Sequence, residues 1–543
     1  MDIDVSDFDP RTMTNRPGSR ILRFRSDASP IELHGLQTSP TMLTQHAARG
    51  ASLMLIASLL GRVAALVAQV VTGWILVEDD FGLFATAIGI QAFAGVLQGG
   101  NALAYLVTLP PTGRRLRTGT VFAISNGFYL IGVVPMLLLA PTLAAYFEEP
   151  GLVTLLWIMA ATMMISPVRF VLRGRVNSRL AFGTGAMATI INNAFTYPLT
   201  IILAIVLRDA TALAIPVLVG SIAEILFLWI RARPTRDDFR PRSRFFWPLL
   251  RQFRWLLLGA AMMTLFNRGD YMVAEFLVET SVLGVYYFGY QLAVQPGRLF
   301  TTTVLNILVP VVKRLSHDKA RLAAALRRLL STGGFAIAFV NLGMLAIIEP
   351  LERLIWAGKW SDTVLTVQVV SIGITYTTIL GVGTAPLMAE RRYRESVICG
   401  LVRAMGIVGG AAVGSIMWGT VDGIAIAVSV GMLVSAIIGI ALVLRWHDVP
   451  AASSIIHILR ATVPLVLLSM LAAAIGDWTL DRLDPGRLAS AIGLCFAGVV
   501  YVLFAISSLA VIPADTRGEV LRLLPGPLRK RIPAAWIPEP NDS

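Results

Sequence analysis

Long apolar runs separated by short polar breaks dominate this chain. Fourteen can be marked, at about 52–77, 82–108, 119–144, 151–170, 184–207, 211–230, 255–278, 283–311, 329–348, 364–388, 396–418, 422–444, 455–476 and 488–512, each bounded by charge, Pro or Gly. A helix needs about 20 apolar residues to cross a hydrocarbon layer of about 30 Å, and the shortest runs meet that length. A helix satisfies its own backbone hydrogen bonds, so it is the form such runs take in lipid. The pattern predicts an all-α integral membrane protein with about 14 transmembrane helices.

The breaks sort by sign. Arg114-Arg115-Leu116-Arg117, Arg169 to Arg179, Arg231 to Arg254, Lys313 to Arg328 and Arg391-Arg392-Tyr393-Arg394 fall on one side. Between them come Glu78-Asp79-Asp80, Glu148-Glu149-Pro150, Arg208-Asp209, Glu279, Glu349 to Asp362, Asp422 and Asp477 to Arg487. Of the 46 Lys and Arg, 38 lie on the first side, counting Arg403 and Arg460 at span ends, and five on the second. Basic loops resist translocation, so the basic side is expected to be cytoplasmic, with both termini there and an even number of spans in the inner membrane.

Composition agrees. The 543 residues are 56% hydrophobic and 15% charged, with mean hydropathy +0.71, against about 25% charged in soluble domains. The net charge of +13 is accounted for by loop asymmetry, so no nucleic-acid partner is expected. Cys399 and Cys495 lie in apolar runs, and the five histidines show no metal-ligand spacing, so neither a disulfide framework, a metal nor a cofactor is expected. Residues 1–48 begin with Asp2, Asp4, Asp7 and Asp9 and lack an apolar core; they read as a flexible cytoplasmic tail rather than a signal peptide. Residues 513–543 read as a second tail.

The polar stretch 231–254 divides six runs (49–230) from six more (255–445), and the last two (446–512) form a C-terminal pair. This stretch holds Phe245-Phe246-Trp247 among its arginines; an interfacial segment and a plain basic linker are both open. The two blocks echo each other. A span carrying Arg62 meets Glu78-Asp79-Asp80-Phe81-Gly82-Leu83-Phe84, and a span carrying Arg268 meets Glu279-Thr280-Ser281-Val282-Leu283-Gly284-Val285-Tyr286-Tyr287, an offset of about 202 residues. Duplicated blocks make two lobes with a site between them. The architecture expected is two six-helix lobes plus a helix pair.

These segments, with Asn267-Arg268-Gly269-Asp270 and Gln295-Pro296, resemble the Wzx-type polysaccharide flippases of the multidrug/oligosaccharidyl-lipid/polysaccharide exporter superfamily. The resemblance covers about residues 50–445. It implies the fold shared with multidrug exporters and movement of polyprenyl-diphosphate-linked glycans to the outer leaflet for O-antigen, capsule or exopolysaccharide. It further implies a polysaccharide polymerase and chain-length proteins as partners, and a coupling ion, Na⁺ or H⁺.

A charge inside a span costs about 2.5–3.5 kcal/mol and marks a cavity or a partner. Arg62, Arg268 and Arg298 qualify, and guanidinium suits the paired oxygens of a diphosphate; pairing with a carboxylate is the alternative. Tyr287, Gln291, Gln295, Arg298, Thr302 and Asn306 form one stripe of the eighth span, and Gln91, Gln98, Asn101 and Tyr105 a similar face of the second. These amides suit sugar hydroxyls or, alternatively, contacts between helices. Glu224, Asp270 and Glu275 are the acids within spans, either coupling-ion ligands or partners of arginine. Tyr286, Tyr287, Phe288 and Tyr290 read by default as an interfacial aromatic belt, and Gly406, Gly410 and Gly414 as a close helix contact. Nucleotide-binding and metalloprotease motifs are absent, and Asp-x-Asp occurs only in the tail, so no enzyme is expected. The rival transport reading is a multidrug or cation antiporter; a polymerase or ligase would need a larger outer loop.

Overall fold

Apolar runs bounded by polar breaks fold as helices throughout the computed structural model. It describes residues 40–96, 111–179, 181–315, 319–390, 392–482, 486–509, 512 and 514–523. The chain divides into Met1–Arg49 and Gly50–Ser543, and the packed helical bundle belongs to the second unit. The helices are α1 (Pro40–Ile75), α2 (Glu78–Gly95), α3 (Pro111–Tyr146), α4 (Gly151–Ser178), α5 (Phe182–Leu207), α6 (Thr211–Ala232), α7 (Phe246–Ala274) and α8 (Thr280–Leu315). Next come α9 (Lys319–Arg328), a π turn (Leu329–Gly333) leading into α10 (Gly334–Trp356), α11 (Val364–Gly383) and α12 (Ala385–Ala389). The series ends with α13 (Tyr393–Met417), α14 (Val421–Trp446), α15 (Ala451–Arg482), α16 (Arg487–Ser508) and α17 (Ala514–Leu523).

Among the described residues, 11 helices are long and apolar enough to cross a membrane, against the fourteen expected. The other three expected spans fall on α2, α7 and α8; of the second, 82–108, the described helix covers residues 82–95. They carry polar and charged residues, among them Glu78, Asp79 and Asp80 on α2, Arg251, Arg254, Arg268 and Asp270 on α7, and Gln291, Gln295 and Arg298 on α8. Helix also extends into several segments read as loops, among them Arg114 to Arg117 on α3, Arg169, Arg173 and Arg175 on α4, and most of the Lys313–Arg328 break on α9.

Helices α3–α6 pack among themselves, as do α7, α10, α11, α13 and α14, while α15 and α16 lie on α10. Gly410 accounts for one close seam, since a Cβ there would sit 2.8 Å from Val428 Cα on α14. The two lobes meet where α2 packs on α7 and α8. Gly82 and Gly284, which open the repeated turn, mark the crossing. A Cβ at Gly82 would lie 2.7 Å from Thr280 C; one at Gly284 would lie 2.7 Å from Gly82 N and 2.9 Å from Glu78 C. The offset relating Gly82 to Gly284 also relates Glu78 to Thr280. Each repeat's glycine therefore lies against the other repeat's helix start, as a two-fold relation between the lobes requires.

Aromatic rings and one lysine close this end, which bears the acidic turns. Phe288 stacks on Trp360 with centroids 4.0 Å apart, and Phe81 meets both edge-on. Lys359 Nζ donates to the carbonyls of Gly73 (3.0 Å), Trp74 (3.3 Å) and Leu76 (2.6 Å) at the C-terminal end of α1, where a cation meets the negative helix end. Trp360 Nε1 also donates to Gly73 O at 2.9 Å. Burial pulls the Lys359 ammonium below the usual lysine range, opposed by Asp80 and Glu78. Burial likewise raises Asp80 and Glu78 above the carboxylate range, opposed by Lys359.

The aromatic-belt expectation does not hold here. Tyr286, Phe288 and Tyr290 are buried, because α2, α7 and the Lys359–Trp360 segment surround this part of α8.

Candidate functional site

Below the closed end, polar side chains from both lobes converge. On α7, Arg268 Nη1 donates to Gln91 Oε1 of α2 at 2.9 Å. On α8, Gln295 Nε2 donates to Gln69 Oε1 of α1 at 3.4 Å, and Arg298 Nη1 to Gln291 Oε1 at 3.2 Å. Gln291, Gln295 and Arg298 share a face because they are three to four residues apart. Arg62 lies half-buried on α1, with its Nε enclosed and without a hydrogen-bond partner.

Electrostatic coupling ties these groups together. Arg62 and Arg298 repel each other, Tyr197 of α5 is within reach of both, and Arg268 is within reach of Arg298, Tyr287 and Tyr271. No carboxylate pairs with Arg62 or Arg268 among the described residues. Like charges held near one another favour an anion.

The acids lie elsewhere. Glu224, 1% exposed, accepts from Arg173 Nε and lies 3.9 Å from Arg169 Nη1, within the amino-terminal lobe. Asp270, fully buried, accepts from Tyr286 Oη at 2.9 Å, and its Oδ1 has no partner. Glu275, 3% exposed, has no hydrogen-bond partner on either oxygen. It lies over α2, where a Cβ at Gly89 would sit 2.7 Å from its Cδ.

Thus the structure brings Arg62, Arg268, Arg298, Gln91, Gln291 and Gln295 together across the lobes. Gln98 and Asn101 lie outside the described residues, as does Tyr105. Thr302 and Asn306 belong to α8, but their side chains are likewise outside the description. Three polar residues escaped the sequence reading. Gln69 stands seven residues after Arg62, two turns along the same face, a signal that was available. Tyr197 joins only through tertiary packing of α5 on α1, where a Cβ at Gly61 would lie 3.0 Å from Asn193 Cγ. Arg403, read as a span end, is ten residues into α13, about 15 Å at 1.5 Å per residue.

Known proteins resemble this chain in sequence and fold. Residues 70–365 match the family model described as "Polysaccharide biosynthesis protein". The lipopolysaccharide biosynthesis protein WzxC of Escherichia coli (strain K12) is 22% identical over 308 residues, 56% of this chain and 62% of that protein. The succinoglycan biosynthesis transport protein ExoT of Rhizobium meliloti (strain 1021) is 21% identical over 356 residues, 63% of this chain and 71% of that one. Among solved structures, the lipid II flippase MurJ in an inward closed conformation superimposes with a TM-score of 0.63 at 16% identity, covering 83% of this chain and 98% of that one. An inward-facing multidrug resistance MATE family transporter gives a TM-score of 0.58 at 16% identity, covering 73% and 95%. At that identity the two structures speak for the fold.

Proposed function

The chain belongs to the polysaccharide biosynthesis protein family, and from that premise we propose that it is a flippase for polyprenyl-diphosphate-linked oligosaccharides, working by alternating access. One observation carries this reading: guanidiniums from both lobes, Arg62 on one and Arg268 and Arg298 on the other, lie within electrostatic reach of one another through Arg298, with neutral amides as neighbours. Arg62, Arg298 and Arg268 hold the diphosphate by paired, charge-assisted hydrogen bonds. Gln69, Gln91, Gln291 and Gln295 offer both donors and acceptors to the first sugars, and the isoprenoid tail remains in lipid. Lobes 49–230 and 255–445 rock about this site. The acidic end, closed by Gly82, Gly284 and the Lys359–Trp360 segment, is the outer gate; the basic end and both termini face the cytoplasm of the inner membrane.

A multidrug or cation antiporter is favoured less, because a cationic cargo would meet repulsion from three arginines. Asp270 and Glu275 are the acids left for a coupling Na⁺ or H⁺, since Glu224 already faces two guanidiniums. A polysaccharide polymerase and chain-length proteins are the partners this role calls for.

Surface polysaccharide in a deletion strain complemented with R298Q or R62Q tests the reading. Removing a charge-assisted contact of about 1.5–3 kcal/mol should cut export by about tenfold or more at unchanged protein level. Full export by both variants would overturn it.

A further inference from the structure

The central site leaves one interior cation without a role. Arg403 stands on α13 in the row Cys399, Arg403, Ile407, and Cys399 and Ile407 are 1% and 0% exposed. Residues four apart share a helix face, so Arg403 points into the carboxyl-terminal lobe rather than to lipid. On the neighbouring face Gly400 lies against α7, where a Cβ would meet Met262 Cβ at 3.2 Å. That close approach lets the Arg403 guanidinium lie over the Phe266 ring, 3.6 Å from its centroid.

Stacking occupies a face of the guanidinium and leaves its N–H edge to be satisfied. Several enclosed arginines have acceptors, Glu224 for Arg169 and Arg173, Asp238 for Arg175 and Gln91 for Arg268, while Arg62 in the central site and Arg517 share with Arg403 a buried Nε without a partner. Arg403 Nε is buried without a hydrogen-bond partner, and no carboxylate pairs with this side chain among the described residues. The polar groups within electrostatic reach are Cys399 and Tyr290, and Tyr290 is also within reach of Arg298. Arg403 and Arg298 thus have Tyr290 as a common electrostatic neighbour.

We propose that Arg403 is the anchor of a second anion-binding subsite in the carboxyl-terminal lobe, taking an oxyanion that accepts its paired N–H donors. Two sources share that chemistry: an inorganic anion resident in the lobe, and an acidic group on the glycan. Only the second rests on the function proposed above.

The test uses the full chain in detergent, following thermal unfolding against sodium phosphate, sodium glucuronate and sodium pyrophosphate at constant ionic strength, with glucose as neutral control. Phosphate or glucuronate should stabilise the wild type saturably, and R403M should weaken that response by about tenfold or more, while R460Q, at an exposed position of α15, keeps it. A response to phosphate alone identifies the resident inorganic ion; a response to glucuronate as well identifies the acidic sugar. If R403M yields no folded protein, R403K carries the test, because lysine keeps the charge without the paired donors and should still lose affinity. The proposal falls if the wild type shows no saturable response, if the folded variant titrates like wild type, or if R460Q abolishes the response. Pyrophosphate stabilisation that survives R298Q and R62Q would instead sink the central-site reading and leave this one standing.

Discussion

Adding one methyl group at Gly284 acts on the seam that holds the two lobes together. Its Cβ would lie 2.7 Å from Gly82 N and 2.9 Å from Glu78 C, whereas unstrained heavy-atom contacts sit at about 3.5–4.0 Å. Both neighbours are backbone, so no side chain can rotate away, and α2 and α8 must separate by about 1 Å. Overpacking of this kind costs about 1–3 kcal/mol. At about 1.4 kcal/mol per tenfold, the closed state loses about five- to a hundredfold in population to the state with the lobes parted. G82A should act in the same direction, and the double variant less than additively, because one displacement relieves both overlaps. The assay is labelling of S281C in a C495S background by a membrane-impermeant maleimide added to intact cells. Labelling should quicken by about the same factor in G284A, while G127A and G498A, whose Cβ would meet nothing within 4 Å, should match the parent. Unchanged labelling in well-expressed G284A, or equal quickening in G498A, would refute the argument.

Glu224→Ala should remove the charged partner of Arg169 and Arg173 and cost about 1.5–3 kcal/mol of stability, seen as lower yield and earlier heat aggregation. Export per folded molecule should persist; its loss at normal stability would make Glu224 an ion-coupling residue instead. The gate should also respond to pH. Glu78 and Asp80 hold protons in the closed structure above the usual carboxylate range, so the closed form binds more protons than the unfolded chain there. Its stability should rise as pH falls from neutral toward that range, be lost as pH rises through the raised values, and respond less in E78Q. A pH-independent unfolding midpoint between pH 7 and 5 in wild-type protein would contradict this.

Much of the architecture was legible in the chain because lipid imposes one rule on every segment: pair the backbone internally and keep charge out. Run length and the selection of Arg62, Arg268 and Arg298 follow from that rule, break sign from the resistance of basic loops to translocation, and the repeat around Gly82 and Gly284 from the duplicated blocks. Tertiary structure decided the rest. Depth within a span does not say which acceptor a guanidinium meets, so Glu224 with Arg173, and Gln91 with Arg268, emerged only when helices far apart in sequence were brought side by side. Tyr286, Phe288 and Tyr290 look like an interfacial belt by position, yet they are enclosed because α2 crosses α8 at two glycines. Arg403 illustrates the limit most plainly: a one-dimensional pattern gives a residue's distance along its helix, while its neighbours are set by which faces pack together.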